Sequence, residues 1–382
     1  MKILHIYSNW KWTGPAEHAL NLALTLKKSG HNVCFACASP PEGVAESIEA
    51  FARQAGISPL TQFKLKKHFN ISDNLKDISE LRRFIKNEKF DLVHTHLPND
   101  HFITGMALRT RFAKTPIVRT CYDGDGIKGG FKTRLLFSLM TDGLITISER
   151  TKSQIMRKHY LPSRKIWKIH VPVNLRKFDP DRVKSNRAKY GLSEEAVVGG
   201  IVARVQKHRR FEVLLEALQI VINEFPGLKF MIIGRGTYIE KIAIKPSQDI
   251  GIRTNLIFTG YRNEDFTETL ACLNFKIFLM PGTDGSCRAV REAMAMGIPV
   301  IAANRGMLPE IIEHETDGLI IDDTPENTAD AIMLLVEHPE LRQKMGVNAF
   351  QKSRRQFNLE LQTKKIEAIY EKILDRKAAK KR

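Results

Sequence analysis

The chain has 382 residues, 43% hydrophobic and 27% charged, an ordinary balance for a globular protein and a length that suits two domains. No apolar run approaches the roughly 18 residues of a membrane span, and five scattered cysteines, an odd number, argue against a disulfide framework. The net charge of +18 is not ordinary and asks for an anionic partner; without a nucleic-acid signature, and with 8% aromatic residues, a phosphorylated substrate or an anionic membrane surface is expected rather than RNA or DNA.

Lys2 to Tyr7 reads as a strand that runs into Asn9, Trp10 and Lys11 with no signal-peptide core. The protein is therefore expected in the cytoplasm, either free or peripheral on the cytoplasmic face of the inner membrane. A loop containing Gly14 leads to a helix from about Ala16 to Ser29, then to a strand from Asn32 to Ala38. Cys34 and Cys37 lie three apart on that strand, so they face opposite sides and read as inert thiols rather than as a metal pair. Further strands are expected at Phe90–His96, Ile117–Thr120, Leu144–Ser148 and Ile166–Val171. Phe131 to Met140 mixes basic and apolar residues at helical spacing, a pattern suited either to the core or to acidic lipid.

The same grammar restarts after Pro172. Strands are expected at Val197–Val202, Lys229–Gly234, Leu256–Gly260, Phe275–Met280, Val300–Ala303 and Gly318–Ile321, with a helix at Phe211–Glu224. Strands separated by helices imply parallel sheets with crossover connections. The domains are expected at 1–172 and 173–358. A final helix is expected at 359–382, with Ile366, Ile369, Tyr370, Ile373 and Leu374 on one face and a basic tail at its end.

The densest signal is the run Pro281-Gly282-Thr283-Asp284-Gly285-Ser286-Cys287-Arg288, which continues to Gly297 and Pro299. After an apolar strand it becomes a short helix, with Ser286 as expected N-cap, Gly297 as C-cap and Pro299 just beyond. Asp284 and Glu292 stand eight residues apart, about 12 Å at helical rise, with a helix N-terminus between them that suits a diphosphate. The segment Glu292-Ala293-Met294-Ala295-Met296-Gly297-Ile298-Pro299-Val300-Ile301 resembles the donor-site motif of family 4, the group 1 retaining glycosyltransferases of GT-B fold that include bacterial envelope and lipopolysaccharide enzymes. Asp284 stands where the family has its first Glu, and Ser286-Cys287-Arg288 replaces an aromatic-containing turn.

The resemblance implies an α/β GT-B fold, two Rossmann-like domains whose parallel sheets face each other across a cleft. It implies transfer of a hexose-type sugar from a nucleoside diphosphate sugar, UDP-linked by expectation, to a hydroxyl of a glycan or lipid-linked acceptor, with retention and no metal or other cofactor. Arg204 and Arg209 would neutralise the diphosphate, Lys207 standing beside them, while Asp284 would hold the sugar hydroxyls and Glu292 the ribose. Gly285, Ser286, Cys287, Arg288, Gly14 and Gly234 join the donor side. His96, at a strand end, is a candidate to assist the acceptor or hold the donor sugar. Trp10, Trp12, Glu17, His101, Tyr122 and Asp123 are acceptor-side candidates, Tyr122-Asp123 occupying the place of a family His-Asp pair. Asp123-Gly124-Asp125 spells a metal motif that the surrounding pattern does not support. The alternatives are a nucleotide-sugar epimerase of the same fold and a degenerate relative that binds membrane or nucleic acid.

Overall fold

The computed structural model describes residues 1–109, 115–124, 126–127, 129–158, 160–280 and 287–379. The chain divides into two units, Met1–Pro172 with Leu359–Arg382, and Val173–Asn358.

The first unit runs β1 (Lys2–Tyr7), α1 (Gly14–Lys28), β2 (Asn32–Cys37), α2 (Ile48–Gln54), α3 (Ile71–Glu88), β3 (Leu92–Thr95), α4 (Pro98–Leu108), β4 (Ile117–Cys121), α5 (Phe131–Met140), β5 (Gly143–Thr146), α6 (Glu149–Arg157) and β6 (Ile166–Lys168). Its strands form one parallel sheet in the order β2-β1-β3-β4-β5-β6. The crossover β1 to β2 runs one way along the sheet and β2 to β3 to β4 to β5 the other. Right-handed connections therefore put α1 on one face and α3, α4 and α5 on the opposite one. The period-2 pattern of β1 fits this. Leu4 and Ile6 pack with Leu81 and Ile103 of α3 and α4, while Ile3 packs with Leu22 and Leu26 of α1.

The second unit runs β7 (Val198–Val202), α7 (Phe211–Glu224), β8 (Lys229–Ile233), α8 (Lys245–Asp249), β9 (Leu256–Gly260), α9 (Phe266–Leu270), β10 (Phe275–Phe278), α10 (Arg288–Ala295), β11 (Val300–Ala303), α11 (Leu308–Ile311), β12 (Gly318–Ile321), α12 (Pro325–Glu337) and α13 (Pro339–Gln356). Its parallel sheet has the order β12-β11-β10-β7-β8-β9. The chain then returns to the first unit as α14 (Leu359–Ala379), whose Ile366, Ile369, Tyr370 and Ile373 join the α1 face of that core.

Local chemistry sets the element ends. Thr13, Ser47, Asn70, Ser148 and Thr324 each accept a backbone N–H from the first turn of the helix that follows. Cys34 and Cys37 are free thiols in different apolar clusters, and burial pushes Cys37 up to about 12. In α5 only Phe137 is buried; Phe131, Leu135 and Leu139 face outward. Among the described residues no helix is long and apolar enough to cross a membrane.

Candidate active site

Each sheet reverses its strand order once, between β7 and β10 in the second unit and between β1 and β3 in the first. Open parallel sheets bind ligands outside the carboxyl ends of the strands at such a reversal. The loops after these four strands carry most of the residues the sequence singles out.

In the second unit, Arg204 and Lys207 are exposed in the loop after β7, and Lys207–Arg209 form one 3-10 turn. Arg209 Nη1 donates to the Met280 carbonyl at 3.1 Å, which ties this basic turn to the end of β10. Arg210 adopts φ +59° and donates to the Asp323 carbonyl at 2.9 Å. That left-handed backbone is one that glycine adopts at no cost and that Arg210 holds with its bond to Asp323. Arg305 holds the Asp323 carboxylate at 2.6 Å.

Gly234 corrects one expectation. A Cβ there would stand 2.0 Å from the Ala203 carbonyl oxygen, and its own N–H goes to Gly260 O at 3.0 Å. It is a packing glycine that lets the loop after β8 touch the loop after β7, rather than a phosphate donor.

Asp284, Gly285 and Ser286 lie outside the described residues. Helix α10 begins at Arg288, and the residue before it is Cys287, buried at φ +48°, so Cys287 takes the N-cap position expected for Ser286. At the other end Met296 is the C-cap, and Gly297 follows at φ +70°, its carbonyl against Gly346 of α13. Glu292 is buried on α10, and its Oε1 accepts from Arg288 Nε at 2.6 Å. Lys276 of β10 is fully buried and donates to the Ala289 carbonyl in the first turn of α10. The sequence reading missed Lys276; its signal was a lysine inside an otherwise apolar strand.

In the first unit, the Asp100 carboxylate sews together the loops after β1 and β3. It accepts from the backbone N–H groups of Ser8 at 2.9 Å, His96 at 3.1 Å and Leu97 at 2.9 Å, while the Asp100 N–H donates to Ser8 Oγ. Burial raises Asp100 to about 6, opposed by Arg119 at 3.8 Å and by those N–H groups.

Below it, His5 of β1 lies opposite His94 of β3, and His96 follows two residues on. All three are fully buried on the α14 side. His94 bonds Tyr370 of α14 and Thr120 (2.7 Å), and His96 bonds His5 (3.0 Å) and the Tyr122 hydroxyl (3.0 Å). Their nitrogens lie within 4.8 Å of one another, a spacing that also suits a metal, but every ring nitrogen except His5 Nε2 already has a hydrogen-bond partner. Burial lowers His5 to about 3 and His94 and His96 well below their usual value, so all three are neutral.

This arrangement corrects the role of His96. It has no surface with which to touch a substrate, and it acts by holding the Tyr122 hydroxyl. Tyr122 is only part-buried, its ring is stacked on His18, and burial raises its phenol well above the usual range, so it stays a neutral hydroxyl.

The remaining candidates separate. Trp12 stacks on Phe51 with ring centroids 4.2 Å apart and packs α2, whereas Trp10 rims an open groove beneath the Lys11 ammonium. His101 is buried, bonded to Thr141 and tilted on Phe137, so it belongs to the interior between α4 and α5. Glu17 is half-buried in the first turn of α1, and Gly14 opens that helix with clear space beside its Cα. Asp123 is exposed in a loop whose carbonyls at 123 and 124 are held by Thr151 and Ser148; Asp125 lies outside the described residues. The sequence reading missed His5, Asp100, Arg119 and Tyr370, because pairing them requires the parallel register and the return of α14.

The family description "Glycosyltransferase Family 4" matches residues 12–177, and "Glycosyl transferases group 1" matches residues 183–352. The chain belongs to the family 4, group 1 glycosyltransferases. It is a transferase enzyme of GT-B fold. It is 24% identical over 320 residues to the UDP-Gal:alpha-D-GlcNAc-diphosphoundecaprenol alpha-1,3-galactosyltransferase of Escherichia coli, covering 80% of this chain and 81% of that one. Its fold is similar to that of a glycosyltransferase from Rickettsia africae (TM-score 0.82, 19% identity, 98% of each chain). It is also similar to HepE from Anabaena in complex with UDP (TM-score 0.77, 16% identity, 96% of this chain and 99% of that one).

Proposed function

We propose that the second unit binds a nucleoside diphosphate sugar, UDP-linked, at the β7/β10 reversal, and that the enzyme transfers its hexose with retention to a hydroxyl of a glycan or lipid-linked acceptor. The observation that carries this reading is the Arg209–Met280 hydrogen bond, which fixes the basic turn after β7 to the strand that leads into the Asp284 segment. Arg204, Lys207 and Arg209 then face the diphosphate, where negative charge grows as the anomeric C–O bond breaks. Asp284 holds sugar hydroxyls. Glu292, oriented by Arg288, accepts the ribose hydroxyls. The acceptor oxygen forms the new bond on the face the diphosphate leaves, and its proton passes to the departing phosphate oxygen. The cations of the site are arginine and lysine side chains, and we propose that the transfer needs no metal and no other cofactor.

The E. coli relative named for a diphosphoundecaprenol acceptor supports placing the reaction in envelope polysaccharide or lipopolysaccharide assembly. The outward Phe131, Leu135 and Leu139 of α5, interleaved with Lys132 and Arg134, support work at the cytoplasmic face of an anionic membrane. Incubation with UDP-hexoses and a prenyl diphosphate-linked sugar, with and without EDTA, tests the reading. UDP release coupled to an elongated acceptor, insensitive to EDTA, is the expected result. Consumption of nucleotide sugar without UDP release would show an epimerase instead.

A further inference from the structure

A concave surface outside the proposed donor site lies in the first unit. It is a groove of about 740 Å³ between the loop after β1 (Asn9, Trp10, Lys11), the end of β2 and the segment 61–70. Its size is that of a small-ligand site. Both walls are built rather than loose. Asn9 Oδ1 accepts from the Trp10 and Lys11 N–H groups, and the Trp10 carbonyl accepts from Ile48 N. Opposite, the fully buried Asp77 carboxylate accepts from Lys64 N at 2.8 Å and Leu65 N at 2.9 Å, and Asn99 donates to the Lys66 carbonyl at 2.7 Å. Leu65, buried at φ +40°, turns the chain so that Lys64 and Lys67 stand outward on either side of it.

The charges here are one-sided. Lys66 is paired with Asp73 at 2.7 Å, but no carboxylate among the described residues pairs with Lys11, Lys64 or Lys67. Phe69, on the groove wall, is 63% exposed, and Ile71 and Leu75, on the helix that follows it in the chain, are 68% and 63% exposed. Isolated exposed apolar side chains are ordinary, but three within seven residues, following lysines that no carboxylate among the described residues neutralises, form a two-part surface, cationic and greasy.

We propose that this groove takes the phosphate or diphosphate of an amphiphilic acceptor, with Lys11, Lys64 and Lys67 on the phosphate and Phe69, Ile71 and Leu75 against the first units of its apolar chain. The inference rests on the transferase reading and names the acceptor class. Charge complementarity chooses this occupant. Clustered lysines without a neutralising carboxylate among the described residues attract a multiply charged anion, and the apolar strip that follows them in the chain favours one that carries a hydrocarbon tail.

The test titrates inorganic pyrophosphate and farnesyl diphosphate into the full-length enzyme with UDP held at saturation, following intrinsic tryptophan fluorescence, which Trp10 supplies from the rim. Farnesyl diphosphate is expected to bind more tightly than pyrophosphate. The double variant Lys64→Gln, Lys67→Gln is expected to lose about tenfold for both probes, roughly what two exposed charge contacts are worth. Phe69→Ser is expected to weaken farnesyl diphosphate alone. Equal binding by the lysine variant and the parent would overturn the site. Equal binding of the two probes, unchanged in Phe69→Ser, would overturn the amphiphile in favour of a free phosphate compound. Lysine-dependent binding to phosphatidylcholine vesicles with 20% phosphatidylglycerol as tight as to farnesyl diphosphate would show surface attraction only. Thermal stabilisation by UDP, measured on every variant, reports the donor site separately: its loss in the parent enzyme sinks the transferase reading, whereas its survival without lysine-dependent diphosphate binding sinks this inference alone.

Discussion

The two units use the same parallel α/β scheme, yet their strand-order reversals are built in opposite ways. In the second unit the reversal ends in cations that reach solvent: Arg204 and Lys207 are exposed, and Arg209 is anchored by one hydrogen bond to Met280. In the first it is packed with three buried neutral histidines and a buried Asp100 that bonds three backbone N–H groups beside Arg119. One reversal leaves its cations open to solvent, where we propose they meet a diphosphate, and the other holds its own loops still. The comparison teaches that shared topology sets where a site lies, while burial decides whether its polar side chains face ligand or protein.

The largest effect expected from breaking this contrast is in the first unit. Asp100→Ala strands the buried Arg119 and leaves the Ser8, His96 and Leu97 N–H groups without their acceptor, a loss of about 3 to 5 kcal/mol of stability. Chemical unfolding measures it, and a loss under 1 kcal/mol would contradict the role. In the second unit, Arg209→Ala is expected to lower kcat by about 10² to 10³ with stability nearly unchanged, the usual cost of removing a fixed donor to developing charge. Steady-state kinetics beside a melting curve separates the two effects.

Glu292→Ala comes next. It is expected to raise the donor KM about 10- to 100-fold, the worth of hydrogen bonds to a charged group, with a smaller change in kcat. Unchanged donor KM would remove Glu292 from the ribose.

Acidification sharpens the comparison further. His5, His94 and His96 have native pKa values depressed by burial, His5 to about 3, so below about pH 6.5 the unfolded chain binds protons that the native first unit refuses. Their contribution is full above the unfolded histidine value and is lost as pH falls through it. Asp100 acts oppositely, since its value is raised to about 6: between about pH 6 and 4 it favours the native state as pH falls. Three histidines outweigh one aspartate, so stability should fall by at least about 1 kcal/mol per pH unit between pH 6.5 and 5. Denaturant melts at those two pH values check it, and equal midpoints would contradict it. The smallest effect is that of Tyr122→Phe, expected to cost about 1 kcal/mol through the lost His96 bond, with a modest fall in acceptor affinity.

The fold was largely legible because both parallel sheets leave runs such as Ile3–Tyr7 and Phe275–Phe278 mostly apolar, with helical periodicity between them. Strand ends were less so. Phe90 to His96 reads as one run, but pairing covers Leu92–Thr95, because His96 turns its N–H to Asp100 rather than to a neighbouring strand. The Asp284/Glu292 spacing and the basic turn could be picked out as candidates in the sequence, while the packing role of Gly234 could not, since the Ala203 carbonyl it touches is 31 positions away in sequence. His96 was misjudged for a related reason. A histidine at a strand end looks available until His5 of β1 and the Tyr122 hydroxyl take both of its ring nitrogens.

The central claim is that the second unit's exposed cations are the diphosphate site. Calorimetric titration of UDP into the parent enzyme, Arg204→Ala and Arg209→Ala tests it most directly. Tight UDP binding by the parent, weakened about tenfold or more in each variant at unchanged melting temperature, is the predicted result. UDP binding of equal strength in all three proteins would contradict it.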